Sequence, residues 1–514
     1  MKLTVIIPSE DWRHTAGVRI RYDRLAPELA ALGHRLELQP ITAFRAGTQF
    51  DSDAYLFSKT YDVGAVVLAR QIRASGRRVG VDVFDDYFSQ SGDSRLVHMR
   101  RWFGDLAGGL DFALCATLPM AKRLNGLIPG IPVHVVNDPA GGFDRDAAAS
   151  NLARNAARAR KTRRLDIGWF GIGDNPYFSV GLEDLHAFSH ALAAVHRPGY
   201  EMRLRVLTNL RALTPERLEM LARIPVPLSL EEWSEEAERA LIADSLACFL
   251  PVNGQPFSSV KSLNRALSVL TGGCQVLSVG HPLYQSFDAF LYRDLAGLVA
   301  DLERDRLRLS TATLDGFADR LSDLGDARHE AAGLVQFLQD MPAPRAQVWP
   351  ARGRQVAVMH GMGSTGEVHK TVQRLGCLSV AAPQSTMKVN YDVIGKPRPD
   401  RNGLDVILSK RAAGRLTADH ARRIKPAGEV GGKPIYRLHL QEADLPGAQQ
   451  MARPARPPQQ IVELARYGQV LHLSRQMLEQ LFGPTEILLS ERMSPYWDAA
   501  SAAPVPATEG RADP

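Results

Sequence analysis

From Met1 to about Phe143, short apolar or β-branched runs (LTVIIP, RLELQP, AYLF, RRVGVDVF, DFALCAT and VHVVND) alternate with stretches of helical periodicity. Alternation of this kind predicts parallel strands covered by helices. The first connection is the most legible. After Pro8 comes a polar loop holding Gly17, then RIRYDRLAPELAALGHRL, where Leu25, Leu29 and Leu32 share a helical face before Gly33 ends the helix. The rhythm pauses over residues 144 to 164, an Ala- and Arg-rich stretch that predicts an exposed linker or linker helix. It restarts with DIGWFGIG, MRLRVLTN, VPLSLEEW, LACFLPVNG and CQVLSVG, separated by helices such as PERLEMLARI and KSLNRALSVL. The Pro- and Arg-rich QDMPAPRAQVWPARGR predicts a second linker.

The fold class is therefore α/β. Two tandem Rossmann-like domains are expected, over residues 1–150 and 165–345, followed by a smaller α/β domain over 355–497. The tail 498–514 has no periodicity and is expected to be disordered. Length agrees, since 514 residues imply about three domains at roughly 100 to 200 residues each.

Composition narrows the function classes. The 62 Lys and Arg against 56 Asp and Glu leave +6 over a long chain, too weak a bias for a dedicated nucleic-acid binder, although it permits anionic substrates or membrane surfaces. Cys115, Cys248, Cys274 and Cys377 are widely spaced and sit in apolar runs, so a CxxC metal site and a disulfide framework are both excluded. The first residues are too briefly apolar for a signal peptide, and no run approaches the roughly 20 apolar residues of a membrane span. A soluble, cytoplasmic protein is expected.

In parallel sheets, chemistry gathers in the loops that follow strands. In the first domain these carry His14, Gly17, Arg19 and Arg21, then Lys59 to Asp62, then Asp82, Asp85 and Asp86. The acids suit either an acceptor hydroxyl, with one carboxylate as base, or an Asx turn capping the next helix. In the second domain PFSSVKSLNRALSVL places Ser258, Ser259, Lys261, Ser262 and Asn264 at a predicted helix start, with Arg265 beside them. Free N–H groups and cations there suit a phosphate; an N-cap serine with solvated basic residues is the plainer alternative. Trp233 suits either a nucleobase or packing.

The order and spacing of AGVRIRYDRLAPELAALGH, LFSKTYD, AVVLARQIRASGRRVGVDVFDDYF, CATLPMAKRL, VVNDPAGG, IGWFG and KSLNRALSVLTGGCQVLSVGHPLY resemble the GT-B glycosyltransferases of the family 4 group over residues 1 to about 345. The resemblance implies a hexosyltransferase that moves a sugar from a nucleotide-sugar donor to a glycan, lipid-linked or other acceptor, retaining and metal-independent, without a bound cofactor. It implies Lys261 and Arg265 as catalytic residues, and the acidic loop after the fourth strand adds Asp85 as the candidate base. By the same resemblance Gly17, Gly171, Ser262 and Asn264 would bind substrate, and Arg19, Lys59 and Asp86 join them by their place in the loops after strands. Peripheral contact with the inner face of a membrane is compatible with this, and nucleic acid is not a partner. The chain departs from the family at its paired glutamates, read here as Val260 and Ser268, and at the proline after the glycine pair, read as Gln275. Two rival readings are a non-catalytic nucleotide-sugar or glycan-binding scaffold and a sugar-nucleotide epimerase.

The third region resembles no family. Its VAVMHGMGSTGEVHK sets Gly361, Gly363 and Gly366 in GxGxxG spacing after a strand, but the next apolar run ends at Gln384 rather than an acid, so NAD is not expected. A phosphate site and a plain strand-to-helix turn both fit the spacing. Residues 401 to 440 are basic, which suits lipid headgroups, an anionic glycan or plain solvation.

Overall fold

The computed structural model describes residues 1–193, 199–344, 354–360, 366–381, 391–397, 403–441 and 475–490. The first sheet contains β1 (Lys2–Ile7), β2 (Arg35–Pro40), β3 (Ala54–Ser58), β4 (Arg78–Val83), β5 (Phe112–Cys115) and β6 (Val133–Val135), all parallel, in the order β2-β1-β3-β4-β5-β6. These are the six apolar runs. Strands β3 and β5 are buried along their whole length, as a sheet covered on both faces requires. After β1, a π-helical turn (Val18–Tyr22) leads into the helix Asp23–Ala31, which buries Leu25 and Leu29. Leu32 lies past its last turn and is exposed, and Gly33 at φ +78° turns the chain.

The second sheet contains β7 (Arg164–Phe170), β8 (Glu201–Thr208), β9 (Leu228–Glu232), β10 (Ala247–Phe249), β11 (Gln275–Leu277) and β12 (Leu291–Tyr292), again all parallel, in the order β12-β11-β10-β7-β8-β9. Only the two-residue β12 had no counterpart in the apolar pattern. Each order reverses once, at β1/β3 and at β7/β10. Open α/β sheets hold their ligands outside the strand carboxyl ends at such reversals.

Two segments pack elsewhere than the pattern suggested. The Ala- and Arg-rich stretch takes the helical of its two expected forms, an 18-residue helix Arg145–Thr162, but it is packed along one face rather than exposed. Its small residues let it lie close on the second domain: Ala148, Leu152, Ala156 and Ala159 are buried there, and Asn155 Nδ2 donates to the carbonyls of Ala243 (2.8 Å) and Ser245 (2.9 Å). At the other end, the helix Ala327–Asp340 crosses back to the first sheet. Its Ala331, Leu334, Val335 and Leu338 share a core with Leu3, Val5, Leu25 and Leu29. Glu330 accepts from the backbone N–H (2.9 Å) and Nδ2 (2.7 Å) of Asn137. The second domain therefore closes before residue 327 rather than at 345, because this helix finds its apolar partner on the first sheet.

The third sheet is mixed. It contains β13 (Gln355–His360), β14 (Leu378–Ala381), β15 (Val393–Pro397), β16 (Gly403–Ser409), β17 (Lys425–Val430), β18 (Lys433–Gln441) and β19 (Thr485–Leu489), in the order β17-β18-β16-β15-β14-β13-β19. Strands β19, β13, β14 and β15 are parallel, and β16, β17 and β18 pair antiparallel. Its helix Gly366–Arg374 lies on the helix Val63–Ala74 of the first domain, where Val372, Leu375, Val356 and Leu488 join the core of Ala65, Val66 and Ala69. Arg70 pairs with Glu486 at 2.9 Å, and a Cβ added at Gly64 would sit 2.8 Å from Thr371 Cγ2. The third domain is thus docked on the first. In the basic stretch Arg411 is paired with Asp392, whereas Lys425 and Lys433 are exposed. Gly361, Gly363, Gln384, Arg401 and the tail lie outside the described residues. Among the described residues no helix is long and apolar enough to cross a membrane, and the four cysteines are buried and free.

Candidate active site

The two reversal points meet. On the first domain, β3 ends at Ser58 and Lys59 follows at φ +54°, a left-handed backbone that few residues with side chains adopt. Its Nζ lies 3.4 Å from Asp85 Oδ2 and 5.0 Å from the Phe84 ring centroid. A Cβ built on Gly17 would come within 3.7 Å of Lys59 Cε, so the loop leaving β1 and the lysine leaving β3 lie side by side.

On the second domain, the chain beyond β10 makes a 3-10 turn (Ser258–Val260), extends at Lys261 and enters the helix Asn264–Thr271. The spacing placed Lys261 at the helix start; it stands instead in the extended elbow before the helix. Ser262 Oγ accepts from the Asn264 N–H at 3.1 Å and so turns the chain into the helix. The elbow carries Lys261 Nζ across to an ion pair with Asp85 and over the Phe257 ring, 4.0 Å from its centroid. Asp85 thereby holds one lysine from each domain. Burial opposes its ionisation, but the charges and hydrogen bonds of Lys261 and Lys59 outweigh burial and hold the carboxyl well below the usual carboxylate range. A carboxylate so held is a weak proton acceptor and a strong positioner of its lysines.

Arg265, in the first turn of the helix, donates to the Phe170 carbonyl. Its Cζ lies 3.6 Å from where a Cβ on Gly171 would be, and its Nε is buried without a partner. An unused guanidinium N–H beside bare glycine backbone, at the β7/β10 reversal, suits an anion.

Other residues serve the walls. Asp86 accepts from the backbone N–H groups of Phe88 (3.2 Å) and Ser89 (2.9 Å), from Ser89 Oγ and from Arg123, so its oxygens are occupied as in an Asx turn. Arg123 extends to the Pro256 carbonyl (2.7 Å) and Ser259 Oγ (2.7 Å), strapping the domains together. Arg19 pairs across the junction with Glu235 (3.0 Å) and lies 5.0 Å from the Trp233 ring centroid, while Trp233 Nε1 donates to Glu238 at 2.6 Å. Asp82 is buried with Arg21 and Tyr22, and His14 is exposed.

Two of the three departures from the glycosyltransferase pattern, Val260 and Gln275, find local reasons, and nothing in the structure explains Ser268. Val260 is 1% exposed and joins the first domain's core, with its carbonyl accepting from Thr117 Oγ1 at 2.8 Å, so a glutamate there would bury a charge. The Gln275 amide pairs with the backbone of Leu309, donating at 2.7 Å and accepting at 3.3 Å. Sequence reasoning missed Arg123 and an aromatic plug between the domains, where Phe178 stacks on Phe257 at 4.0 Å and Tyr87 lies 5.4 Å from Phe257. The available signal was the aromatics in three strand-end loops, DDYFSQ, NPYFSV and QPFSSV.

No family model and no curated protein matches the chain. Among solved structures, E. coli trehalose-6-phosphate protein bound with UDP-2-fluoro glucose is similar at 11% identity and a TM-score of 0.46, over 67% of this chain and 100% of that one. Anabaena HepE in complex with UDP is similar at 12% identity and a TM-score of 0.44, over 66% and 100%. The α,α-trehalose-phosphate synthase of Burkholderia xenovorans, in complex with glucose-6-phosphate, is similar at 13% identity and a TM-score of 0.38, over 56% and 72%.

Proposed function

We propose that the chain is a GT-B glycosyltransferase of the family 4 type, transferring a hexose from a nucleotide-sugar donor to a glycan, lipid-linked or other acceptor with retention and without a metal or cofactor. The observation that carries this reading is the convergence of Lys59, Asp85 and Lys261 at facing reversal points, with the unused Nε of Arg265 beside Gly171. Lys261 and Arg265 take up charge on the departing diphosphate, which needs oriented cations rather than a metal. Gly171 leaves room for the nucleotide, Ser262 and Asn264 shape the elbow, and Gly17 and Lys59 face the sugar and its phosphates. Asp85 orients both lysines. Arg19 and Asp86 hold the walls rather than the substrate. The reading places the protein in the cytoplasm and is compatible with peripheral contact with a membrane.

Thermal shift of the full chain against a panel of nucleoside diphosphates and their sugars tests this. One nucleotide should raise the melting temperature together with its sugar conjugate, by the mass-action increment of a ligand that binds only the folded state. A panel without any stabilising member would overturn the reading. Val260 and Ser268 favour a scaffold as the second reading, which would show binding and no turnover.

A further inference from the structure

The third sheet has its own reversal point. Strand β13 has β14 on one side and β19 on the other, and its last residue is His360. That side chain is 0% exposed, and neither ring nitrogen has a hydrogen-bond partner. Buried polar groups are almost always bonded, so an orphaned imidazole at a strand's carboxyl end calls for a ligand or an ordered water. The His369 ring, from the nine-residue helix Gly366–Arg374, is 3.9 Å from that of His360, and Tyr391 closes the cluster at 5.9 Å and 4.4 Å from the two rings. His369 Nδ1 is hydrogen-bonded to Ser379 Oγ at 2.9 Å.

The surrounding charges indicate which ligand. The neighbouring carboxylate, Asp392, is consumed by Arg411, by Ser409 Oγ (2.7 Å) and by the Ser379 N–H (2.9 Å), so it makes no bond to His360. Burial keeps both imidazoles neutral at pH 7, which leaves His360 one N–H to donate. The two rings are tilted by 38°, and among the described residues no third histidine, cysteine or carboxylate joins them in a group that could hold a metal ion. The carboxyl end of a parallel strand, the first turn of a helix and an unused N–H together suit an anion.

We propose that the third domain binds a phosphoryl group at this strand end, with His360 as a hydrogen-bond donor, in a site separate from the interdomain junction. Inorganic phosphate and a phosphate ester share this chemistry, and AMP serves as the ester probe. The test uses the full chain carrying Lys261→Ala and Arg265→Ala, which weaken the junction. Calorimetric titration should show one saturable site for phosphate, and His-selective NMR should show the His360 ring signals moving with occupancy. His360→Leu should weaken binding at least about tenfold, the typical cost of losing a hydrogen bond to a charged group. His360→Gln, which keeps a donor, should retain most of it. Tighter binding of AMP than of phosphate would assign an ester, and equal affinities would assign phosphate itself. Absence of saturable binding, unmoved His360 signals, or affinity unchanged in His360→Leu would overturn the proposal and leave an ordered water as the partner of His360.

Discussion

The junction of the first two sheets and the strand end at His360 obey one topological rule with opposite chemistry. At the junction both reversal points present cations, and a first-domain carboxylate ties two of them together. At the third sheet the same position presents neutral rings sealed from solvent. Topology says where a ligand lies, and only the side chains say which. The regions also differ in what holds them: the junction is a contact between domains, closed by aromatic packing and straps, whereas His360 lies within one domain.

The sharpest way to break this contrast is to remove the aromatic plug. Phe257 is fully buried between Phe178 and Tyr87. Phe257→Ala should cost about 3–5 kcal/mol, read from the denaturant midpoint of the first two domains, with amide protection of β13 and β14 unchanged. A loss below about 1 kcal/mol would mean that the straps, not the plug, hold the junction.

A smaller effect is expected where the third domain docks. At Gly64 an added methyl would meet Thr371 Cγ2 at 2.8 Å and Asp62 Oδ1 at 2.7 Å. Gly64→Ala should therefore cost about 1–3 kcal/mol as an overpacking change, with faster hydrogen exchange in the helix 366–374. An unperturbed helix would contradict close docking.

Acid should separate the regions more gently. Burial lowers His369 from 6.5 to about 4, and burial together with the neighbouring His369 lowers His360. A base lowered in this way contributes stability that is whole above its unfolded value and is lost as pH falls toward its folded one, so the third domain weakens between pH 6.5 and 4. Asp62 and Asp184 act in the opposite sense. Burial raises each from 3.8 to about 6, and their contribution is whole below 3.8 and lost as pH rises through about 6. Hydrogen exchange at about pH 7 and pH 5 should show third-domain amides losing protection relative to those of β3 and β10. Equal changes in all three domains would contradict the assignment.

Much of the fold was legible because parallel strands buried on both faces read as continuous apolar runs, as AYLF and LACFLPV do. The two-residue β12 was illegible because a strand that short leaves no period. The helix 327–340 was read into the wrong domain because an apolar stripe says that it needs a partner without saying which sheet supplies it. At the site, Lys261 and Arg265 were visible as cations after a strand. That Asp85 binds Lys59 and Lys261 together was not, since those residues lie 26 and 176 positions away from it. The orphaned His360 was hidden for the same reason: a missing partner exists only in three dimensions.

The central claim is that charge develops on a leaving diphosphate beside Lys261. The most direct measurement compares donor hydrolysis and transfer by wild type and Lys261→Ala, beside calorimetric binding of the nucleoside diphosphate. An interaction that grows in the transition state is typically worth about 3–4 kcal/mol, so the substitution should lower kcat roughly 100- to 1000-fold. Wild-type turnover that survives Lys261→Ala within about twofold would contradict the account.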